Sequence, residues 1–425
     1  MTSPCARRPR LLVLSQLYRP EPNFITADVA ESLARHFDVT VVAAHPNYPH
    51  GRFYPGHRWW WPRRTEENGV VVWRLPMYPY HGRSHLLRAV SYLSFAALAG
   101  VFAPFVASRA DIVWVYHGPF SVGLATLWFR LVRRAGIIFT CADLWPESFV
   151  AAGVAKPGMM IRLLFAYRRA VNRLADVLIC ATRGTRERYA ADGVSRDALP
   201  VVPVWVDGAG EVPVDQPEPG GPKRIVYAGN LGPAQSLETV LHAAVVTERE
   251  ALPVVFDLYG AGSSEAGLRE LATRLGVTTV RFHGQVSPRA AFDVSSRAFA
   301  QIVSLQPSPL FAMTVPSKVS FCCAAGPPIL YGLQGEAAAI VAEAGGGIPY
   351  DPASPETLVA AVKGLLGRSD AERQTMRLAL REYYEQHLAK PKLLARYEEI
   401  FLDVLAAVTA SPERRGLAAD RNHMA

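Results

Sequence analysis

Short apolar runs of β-forming residues alternate with segments of helical periodicity along most of the chain, and this alternation constrains the fold most. In the first half the runs predict strands at residues 11–15, 39–44, 70–74, 112–116, 137–141, 177–181 and 201–205. In the second half they predict strands at 225–228, 254–259, 279–282, 300–304 and 329–331. Strand, helix and strand at this spacing predict right-handed crossovers and parallel sheets. The fold class is therefore α/β, with two doubly wound, Rossmann-like domains expected to face a cleft.

The length of 425 residues also favours two domains, because one hydrophobic core rarely organises so long a chain. Residues 207–222 are rich in Gly, Pro and acidic residues and predict a linker between domains at 1–206 and 223–388. The pattern is helical without a strand from 355 to 408. We expect a helix at 389–410 to cross back to the first domain, followed by a frayed tail at 411–425.

The charge is distributed unevenly between the two halves. Residues 1–205 hold 25 Lys and Arg against 13 Asp and Glu, whereas residues 206–425 hold 20 against 24. A basic first half predicts an anionic partner, and since no nucleic-acid motif accompanies the charge, a membrane surface is favoured over nucleic acid. The five cysteines lack paired ligand spacing, and the first residues lack a signal peptide, which together predict a cytoplasmic protein.

Two stretches of the first half are typical of lipid contact. Residues 57–64 place three tryptophans among arginines, which fits either a membrane interface or a long surface loop. Residues 89–108 are uncharged and nearly long enough to span a bilayer. Because they lie between two predicted strands, we favour a crossover helix packed on the sheet, with one face touching lipid, over a transmembrane span.

The stretch from Arg224 to Glu238 predicts an anion site, since a strand enters a helix through glycines. Backbone N–H groups from Asn230 to Gly232 are the candidate donors. Further glycines follow strands at the same edge of the predicted sheet and could admit a base and ribose, although ordinary turn glycines look identical. These candidates are Gly260, Gly262, Gly284 and the neighbouring Gln285.

Six short motifs carry a resemblance to a known family. They are Asn47-Tyr-Pro-His-Gly51, Asp143-Leu-Trp-Pro-Glu-Ser148, Val204-Trp-Val-Asp207, Tyr227-Ala-Gly-Asn-Leu-Gly-Pro-Ala-Gln235, Val315-Pro-Ser-Lys318 with Ala324-Ala-Gly-Pro-Pro328, and Gly335-Glu-Ala-Ala338. In this order they resemble retaining glycosyltransferases of family 4 with the GT-B fold, and most of all the N-acetyl-fucosamine transferase group that builds O-antigen, capsule and colanic acid. The resemblance covers nearly the whole chain.

The resemblance implies that a hexosyl or N-acetylaminosugar unit moves from a nucleotide-sugar donor to a polyprenyl-diphosphate-linked or other glycan acceptor, with retention of configuration. The enzyme would act in cell-surface polysaccharide synthesis at the inner face of the cytoplasmic membrane, where it would be peripherally bound. It would need no cofactor beyond the nucleotide sugar. Relatives bind the donor mainly in the second domain and the acceptor mainly in the first.

In the second domain the resemblance assigns the donor phosphates and sugar to turn residues and to the start of a later helix. Lys318 is also a candidate catalytic group, because an ammonium can neutralise the leaving diphosphate. The alternative is that Lys318 is an ordinary lysine on the protein surface. Met313 and Phe321 stand where most relatives carry two glutamates, and Glu336 is the nearest alternative carboxylate. The assigned residues are Gly229, Asn230, Gly232, Gln235, Ser317, Lys318 and Glu336.

In the first domain the resemblance assigns His117 and Asp143 to catalysis, because each follows an apolar strand. Asn23, Asn47, Tyr48 and Glu147 are assigned to the acceptor, although Glu147 could merely cap a helix. No acidic pair has metal-holding spacing, which predicts metal-independent transfer. The missing glutamates leave open a non-catalytic GT-B subunit that binds a lipid-linked sugar or a partner enzyme, and residues 89–108 leave open an integral membrane protein.

Overall fold

The computed structural model describes residues 7–57, 60–82, 84–117, 120–151, 158–206 and 221–410. The chain forms two compact units. The first comprises the described residues up to Val202 together with those from Leu394 onward, and the second comprises the described residues of Pro203–Leu393. Each unit is built around one β-sheet with helices connecting its strands.

The sheet of the first unit has seven described strands in the order β3-β4-β2-β1-β5-β6-β7. All neighbours are parallel except the edge pair β3 and β4. Without β3 the spatial order is that of a Rossmann fold, with its switch point between β1 and β5. The strands are β1 Arg10–Leu14, β2 Asp38–Ala44, β3 Arg63–Glu67, β4 Val70–Leu75, β5 Ile112–His117, β6 Gly136–Cys141 and β7 Val177–Cys180.

The helices of the first unit connect successive strands. They are α1 Phe24–Leu33, α2 His85–Val106, α3 Glu147–Ala151, α4 Met159–Asn172 and α5 Arg183–Ala191, with shorter helical turns at Phe120–Thr126, Phe129–Arg133 and Arg196–Ala198. Helix α1 begins at Phe24, with Asn23 as its cap residue. Thr26 is buried inside the helix, and its Oγ1 accepts a hydrogen bond from Asn23 Nδ2 at 2.9 Å.

The second unit has a six-stranded sheet, within the described residues, in the order β10-β9-β8-β11-β12-β13. All its pairs are parallel, and the order again follows the Rossmann pattern, with the switch point between β8 and β11. The strands are β8 Lys223–Ala228, β9 Val254–Tyr259, β10 Val280–Gly284, β11 Ala300–Ser304, β12 Ile329–Gly332 and β13 Gly347–Pro349. The helices are α6 Leu237–Arg249, α7 Glu265–Leu275, α8 Pro288–Ser296, α9 Pro309–Met313, α10 Ser317–Ala325, α11 Gly335–Glu343, α12 Pro355–Leu366 and α13 Asp370–Tyr383, with short turns at Pro233–Gln235 and Tyr384–Leu388. The last helix, α14 Lys390–Ala410, begins in the second unit and belongs to the first unit from Leu394 onward.

The strand predicted at 201–205 is wrong. Only an isolated bridge joins Val201 to Cys180, and Pro203 has no N–H to extend the ladder. Two strands gave no sequence signal: β3 is polar, and β13 has only three residues. The helical pattern predicted from 355 to 408 is confirmed by α12, α13 and α14.

The end of α14 joins the core of the first unit. The Phe401 ring lies 5.6 Å from Trp114 and 6.5 Å from Phe37, both edge-on, and all three side chains are buried. Trp114 also donates a hydrogen bond from Nε1 to Thr140 Oγ1 at 2.9 Å, which satisfies the buried indole. Aromatic packing of this kind supplies a large apolar contact to the centre of the first sheet.

In the part of the chain that the structure describes, α2 is the one helix long and apolar enough to cross a membrane, judged by length and composition alone. Only 22 % of its most hydrophobic 18-residue stretch is buried inside the protein. The buried residues Ser91, Phe95, Ala99 and Ala103 recur at four-residue intervals, which forms one stripe facing the protein. The other faces of α2 expose large apolar side chains, including Leu93 and Phe105.

Candidate functional site

A cavity of about 380 Å³ lies at the carboxyl ends of three neighbouring strands of the second unit. Because β8, β9 and β10 are parallel, the turns that follow them meet at one edge of the sheet. The cavity is lined by Ala228, Gly229, Asn230, Tyr259, Gly260, Ala261, Gln285 and Val286 from these turns, and by Ala291 and Phe321 from α8 and α10. Four of the predicted donor residues therefore lie together: Gly229, Asn230, Gly260 and Gln285.

The residues that follow β8 and β9 must be glycines, because other atoms of the protein approach their backbone closely. Gly229 and Gly260 have φ of +150° and +133°. A Cβ on Gly260 would lie 1.8 Å from the carbonyl oxygen of Gly229, which is well inside van der Waals contact. A Cβ on Gly229 would lie 2.7 Å from Lys318 Nζ. Only glycine fits at either position, and the turn brings backbone next to the Lys318 ammonium.

The Lys318 side chain is folded against an aromatic ring beside the cavity. Its Nζ lies 3.4 Å from the centroid of the Tyr227 ring, and Tyr227 is itself held by a hydrogen bond from its hydroxyl to the Asn230 carbonyl at 2.6 Å. Burial of the ammonium lowers the pKa of Lys318 to about 7. The surface-lysine reading does not fit this position, since the charged end is packed and has no carboxylate partner among the described residues.

The predicted set of free backbone donors is wrong for two of its three members. The Leu231 N–H donates to the Ala261 carbonyl at 3.0 Å, and the Gly232 N–H donates to Gln235 Oε1 at 3.1 Å. The Asn230 N–H has no acceptor among the described residues. Gln235 thus supports the turn from its far side, and the Asn230 N–H and the Lys318 ammonium are the hydrogen-bond donors next to the cavity.

Tyr259 lines the cavity but was not predicted as a site residue from the sequence. Its ring stacks on His283 at 4.3 Å, and its hydroxyl accepts a hydrogen bond from Arg224 Nη2 at 3.0 Å. The buried Asp257 joins both neighbours, because its carboxylate accepts from His283 Nε2 at 2.6 Å and from Arg224 Nε at 2.7 Å. The result is a rigid aromatic wall on which a nucleobase can stack.

The other residues predicted to bind the nucleotide sugar surround this cavity or lie outside it. The Gly284 carbonyl accepts from the Gly260 N–H at 2.7 Å, and Gly262 packs closely on Leu231, so both support the turns. Ser317 begins α10 immediately before Lys318. Glu336 lies in the first turn of α11, whose Gly335 packs on Ala312 of α9, and it does not line the cavity.

Phe321 occupies the place where the resemblance leads one to expect a glutamate. Its ring lines the cavity and lies edge-on to Phe292 at 5.6 Å. An aromatic ring cannot accept a hydrogen bond from a ribose hydroxyl as a carboxylate does. The wall on this side of the cavity is therefore apolar.

The first unit has a polar cavity of about 160 Å³ at the carboxyl edge of its own sheet. It is lined by Ser15, Gln16, Leu17, Asn23, Tyr48, His81, Tyr92, Tyr116, Asp143 and Trp145. Asn23, Tyr48 and Asp143 were predicted from the sequence, whereas His81 and Tyr92 were not. Asp143 as a residue is exposed, but burial of its carboxyl group removes water and raises the pKa of Asp143 above its ordinary value.

Asn47 supports this cavity from behind. It is fully buried, its Oδ1 lies 2.9 Å from His81 Nε2, and its N–H donates to Glu21 Oε1 at 2.9 Å. The Tyr48 N–H donates to the same Glu21 oxygen at 2.8 Å. Asn47 therefore orients His81, and Glu21 holds the loop that carries Tyr48.

Glu147 lies in an ion-pair cluster of the first unit. Its two carboxylate oxygens accept from Arg168 Nη1 and Arg188 Nε, each at 2.6 Å. Asp192 also pairs with both arginines, and the Arg168 side chain is buried. Both oxygens of Glu147 are engaged, so an acceptor hydroxyl could reach them only by breaking an ion pair.

His117 is the last residue of β5, opposite Cys141 of β6. Its side chain lies outside the described part of the structure, as do Gly118 and Pro119. Among the described residues, no group of three or more His, Cys, Asp or Glu is placed to hold a metal ion.

Residues 22–205 match the profile of the glycosyl transferase 4-like domain. The chain is 28 % identical over 294 residues to WcaI of Escherichia coli K12, named as a colanic acid biosynthesis glycosyl transferase, covering 64 % of this chain and 71 % of that protein. It is 26 % identical over 300 residues to WbjE of Pseudomonas aeruginosa, named as a glycosyltransferase, covering 66 % and 72 %. The protein is accordingly a glycosyltransferase.

Solved structures with the same fold align with nearly the whole length of this glycosyltransferase. Anabaena HepE in complex with UDP and glucose gives a TM-score of 0.65 at 13 % identity and covers 92 % of this chain and 99 % of that one. Sucrose-phosphate synthase of Thermosynechococcus elongatus gives 0.68 at 14 % identity, covering 94 % and 100 %. At such identities the likeness establishes the fold, which is that of GT-B enzymes.

Proposed function

We propose that this glycosyltransferase moves a sugar from a nucleotide-sugar donor, bound by the second unit, to a lipid-linked glycan acceptor, bound by the first. Transfer proceeds with retention of anomeric configuration and serves cell-surface polysaccharide synthesis. The enzyme works at the inner face of the cytoplasmic membrane, as a peripheral protein. Proton NMR of the product linkage tests the retention.

The observation that carries this proposal is the Lys318 ammonium beside the cavity of the second unit. A leaving nucleoside diphosphate gains negative charge as the glycosidic bond breaks, and a nearby cation with a free N–H stabilises that charge. Lys318 and the Asn230 N–H supply these groups, and Tyr259 offers a stacking surface for the base. A bound diphosphate favours the protonated amine, so donor binding takes up a proton when the pH exceeds about 7.

A thermal-shift screen with UDP, GDP and dTDP tests donor binding, because a ligand that binds only the folded state raises the melting temperature. UDP and UDP-glucose are bound in structures of HepE, so UDP is the first candidate. We expect one nucleotide to raise the melting temperature of the wild type and to lose this effect in Lys318→Ala. Lys223→Ala, in the same unit, is the matched control. If no nucleotide has an effect, the donor site is assigned wrongly.

The acceptor is assigned to the polar cavity of the first unit. Asp143 with its raised pKa, together with His81 and Tyr48, presents hydrogen-bonding groups suited to sugar hydroxyls. The excess of basic residues in this half favours an acceptor at an anionic membrane. Asp143→Asn should reduce transfer without reducing donor binding.

Transfer is proposed to be independent of metal, with Lys318 in the role that Mg²⁺ has elsewhere. Activity of purified protein in excess EDTA should equal activity without it. A loss that added Mg²⁺ or Mn²⁺ restores would contradict this part of the proposal.

A second function is favoured by one observation. Phe321 lines the donor cavity, and Met313 precedes α10, where most relatives of the resembled family carry glutamates. A GT-B subunit that binds a lipid-linked sugar or a partner enzyme without catalysis would need neither carboxylate. Nucleotide binding without donor hydrolysis or transfer in the purified protein would favour this alternative.

A further inference from the structure

The first unit contains a second cavity of about 770 Å³ whose lining is almost wholly apolar. Small-molecule sites commonly have volumes of about 300–1,000 Å³, so this space can hold a substantial ligand. It is lined by Gly51, Arg52, Phe53, Trp60, Pro76, Met77, Tyr78 and Pro79 from two loops, and by Ser94 and Leu98 from α2. Arg52 is exposed and has no ion-pair partner among the described residues.

One layer of residues separates this apolar cavity from the polar cavity that contains Asp143. Met77 forms part of the layer, since its sulfur accepts hydrogen bonds from Gln16 Nε2 at 3.8 Å and Asn47 Nδ2 at 3.5 Å, and Gln16 lines the polar cavity. Gly51 forms another part of the layer, because a Cβ on it would lie 2.8 Å from the backbone nitrogen of His81, which lines the polar cavity. A single extended molecule can therefore contact both cavities.

The outer side of the apolar cavity continues into an exposed apolar surface. Trp60 and Trp61 are 57 % and 73 % exposed, and on α2 Val101 and Phe105 are 67 % and 79 % exposed. Large apolar surfaces of this kind mark a site of interaction with lipid or protein. Exposed tryptophans beside an arginine are typical of contact with the interface of a membrane.

The polar cavity, Arg52, the apolar cavity and the exposed apolar surface together fit one kind of ligand, which has a polar end, a phosphate and a long hydrocarbon chain. We propose that the apolar cavity binds the first isoprenoid units of the lipid-linked acceptor, that Arg52 pairs with its phosphate, and that its sugar enters the polar cavity. The chain then leaves along α2 into the membrane. This inference rests on the proposed transfer to a lipid-linked acceptor and specifies where the lipid is held.

Farnesyl phosphate, below its critical micelle concentration, is a suitable probe because it carries three isoprenoid units and one phosphate. Quenching or enhancement of tryptophan fluorescence should saturate on titration. Leu98→Gln should weaken binding by at least about fivefold, which is about 1 kcal/mol, since a polar amide replaces an apolar wall. Leu98→Trp, which fills the cavity without adding polarity, should weaken binding as well.

Leu93→Gln is the matched control, because Leu93 is an exposed leucine of the same helix that does not line the cavity. It should leave the affinity within about twofold of wild type. Arg52→Gln should weaken farnesyl phosphate binding and leave farnesol binding unchanged, which separates the phosphate contact from the apolar contact.

Several results would overturn the inference. These are an unsaturable response, equal weakening by Leu93→Gln and Leu98→Gln, binding only to vesicles and not to the monomeric probe, or a concentration-dependent dimer that the probe does not dissociate. If UDP still raises the melting temperature and sugar still transfers to a soluble acceptor, the inference fails while the proposed function stands. If the nucleotide also has no effect, both fail.

Discussion

Replacement of Lys318 by methionine tests the central electrostatic feature of the proposed donor cavity. The ammonium lies 3.4 Å above the Tyr227 ring, and burial lowers its pKa to about 7. In the unfolded chain a lysine has a pKa of about 10.4. Methionine has a similar length without the charge, and its thioether can lie on the same ring. The substitution therefore removes a charge that the folded protein disfavours.

The expected effect follows from the two pKa values. A difference of about 3 units at about 1.36 kcal/mol each corresponds to about 4 kcal/mol that opposes folding at low pH. The cation–π contact with Tyr227 offsets about 0.5–2 kcal/mol of this. We expect Lys318→Met to raise the free energy of unfolding by about 2–4 kcal/mol at pH 6.

The sign of the pH dependence is set by which state holds the proton. Above about pH 10.4 the amine is neutral in both states, so its burial carries no charge penalty. As the pH falls the unfolded state is protonated first, and the penalty becomes complete below about pH 7. The advantage of the variant should therefore be greatest at pH 6 and should decrease by about 1.4 kcal/mol per unit as the pH rises above 7.

Urea unfolding followed by circular dichroism at pH 6, 7, 8 and 9 measures this difference. Lys223→Met is the matched control, because it also removes an ammonium near a ring, that of Phe299 at 5.6 Å, in the same unit. A variant that is less stable than wild type at pH 6, or a difference that does not change with pH, would refute the reasoning. UDP should also stabilise the wild type more than Lys318→Met, since only the wild type offers a cation to the diphosphate.

Three further substitutions test the remaining contacts. Gly229→Ala should abolish nucleotide binding, measured by calorimetry, because its Cβ would lie 2.7 Å from Lys318 Nζ and its φ is +150°; wild-type affinity would contradict this. Glu147→Gln should lower the free energy of unfolding in urea by about 2–3 kcal/mol, because the buried Arg168 loses one of its two carboxylates; a change below about 0.5 kcal/mol would argue against it. Asp143→Asn should lower kcat at least about a hundredfold with unchanged nucleotide binding. In the wild type, kcat should decline as the pH falls through the raised pKa of Asp143, and a pH profile shared by the variant would show that another group titrates.

Much of the fold could be predicted from the sequence. The strands predicted at 254–259 and 300–304 coincide with β9 and β11, because buried parallel strands are apolar throughout. The edge strand β3 could not be found in this way, since an exposed strand needs no apolar run.

The sequence by itself determined the order of most strands and helices, the division into two α/β halves, and the glycine turns after β8, β9 and β10 that we propose to bind the donor. These signals are local, since apolar spacing and glycines act through neighbouring residues. Only the tertiary structure decided that the Leu231 and Gly232 N–H groups are already engaged, that Tyr227 holds the Lys318 ammonium, and that an apolar cavity lies behind the Asp143 cavity. Hydrogen-bond partners and the loss of solvent depend on residues far apart in the chain, which meet only when the sheets have formed.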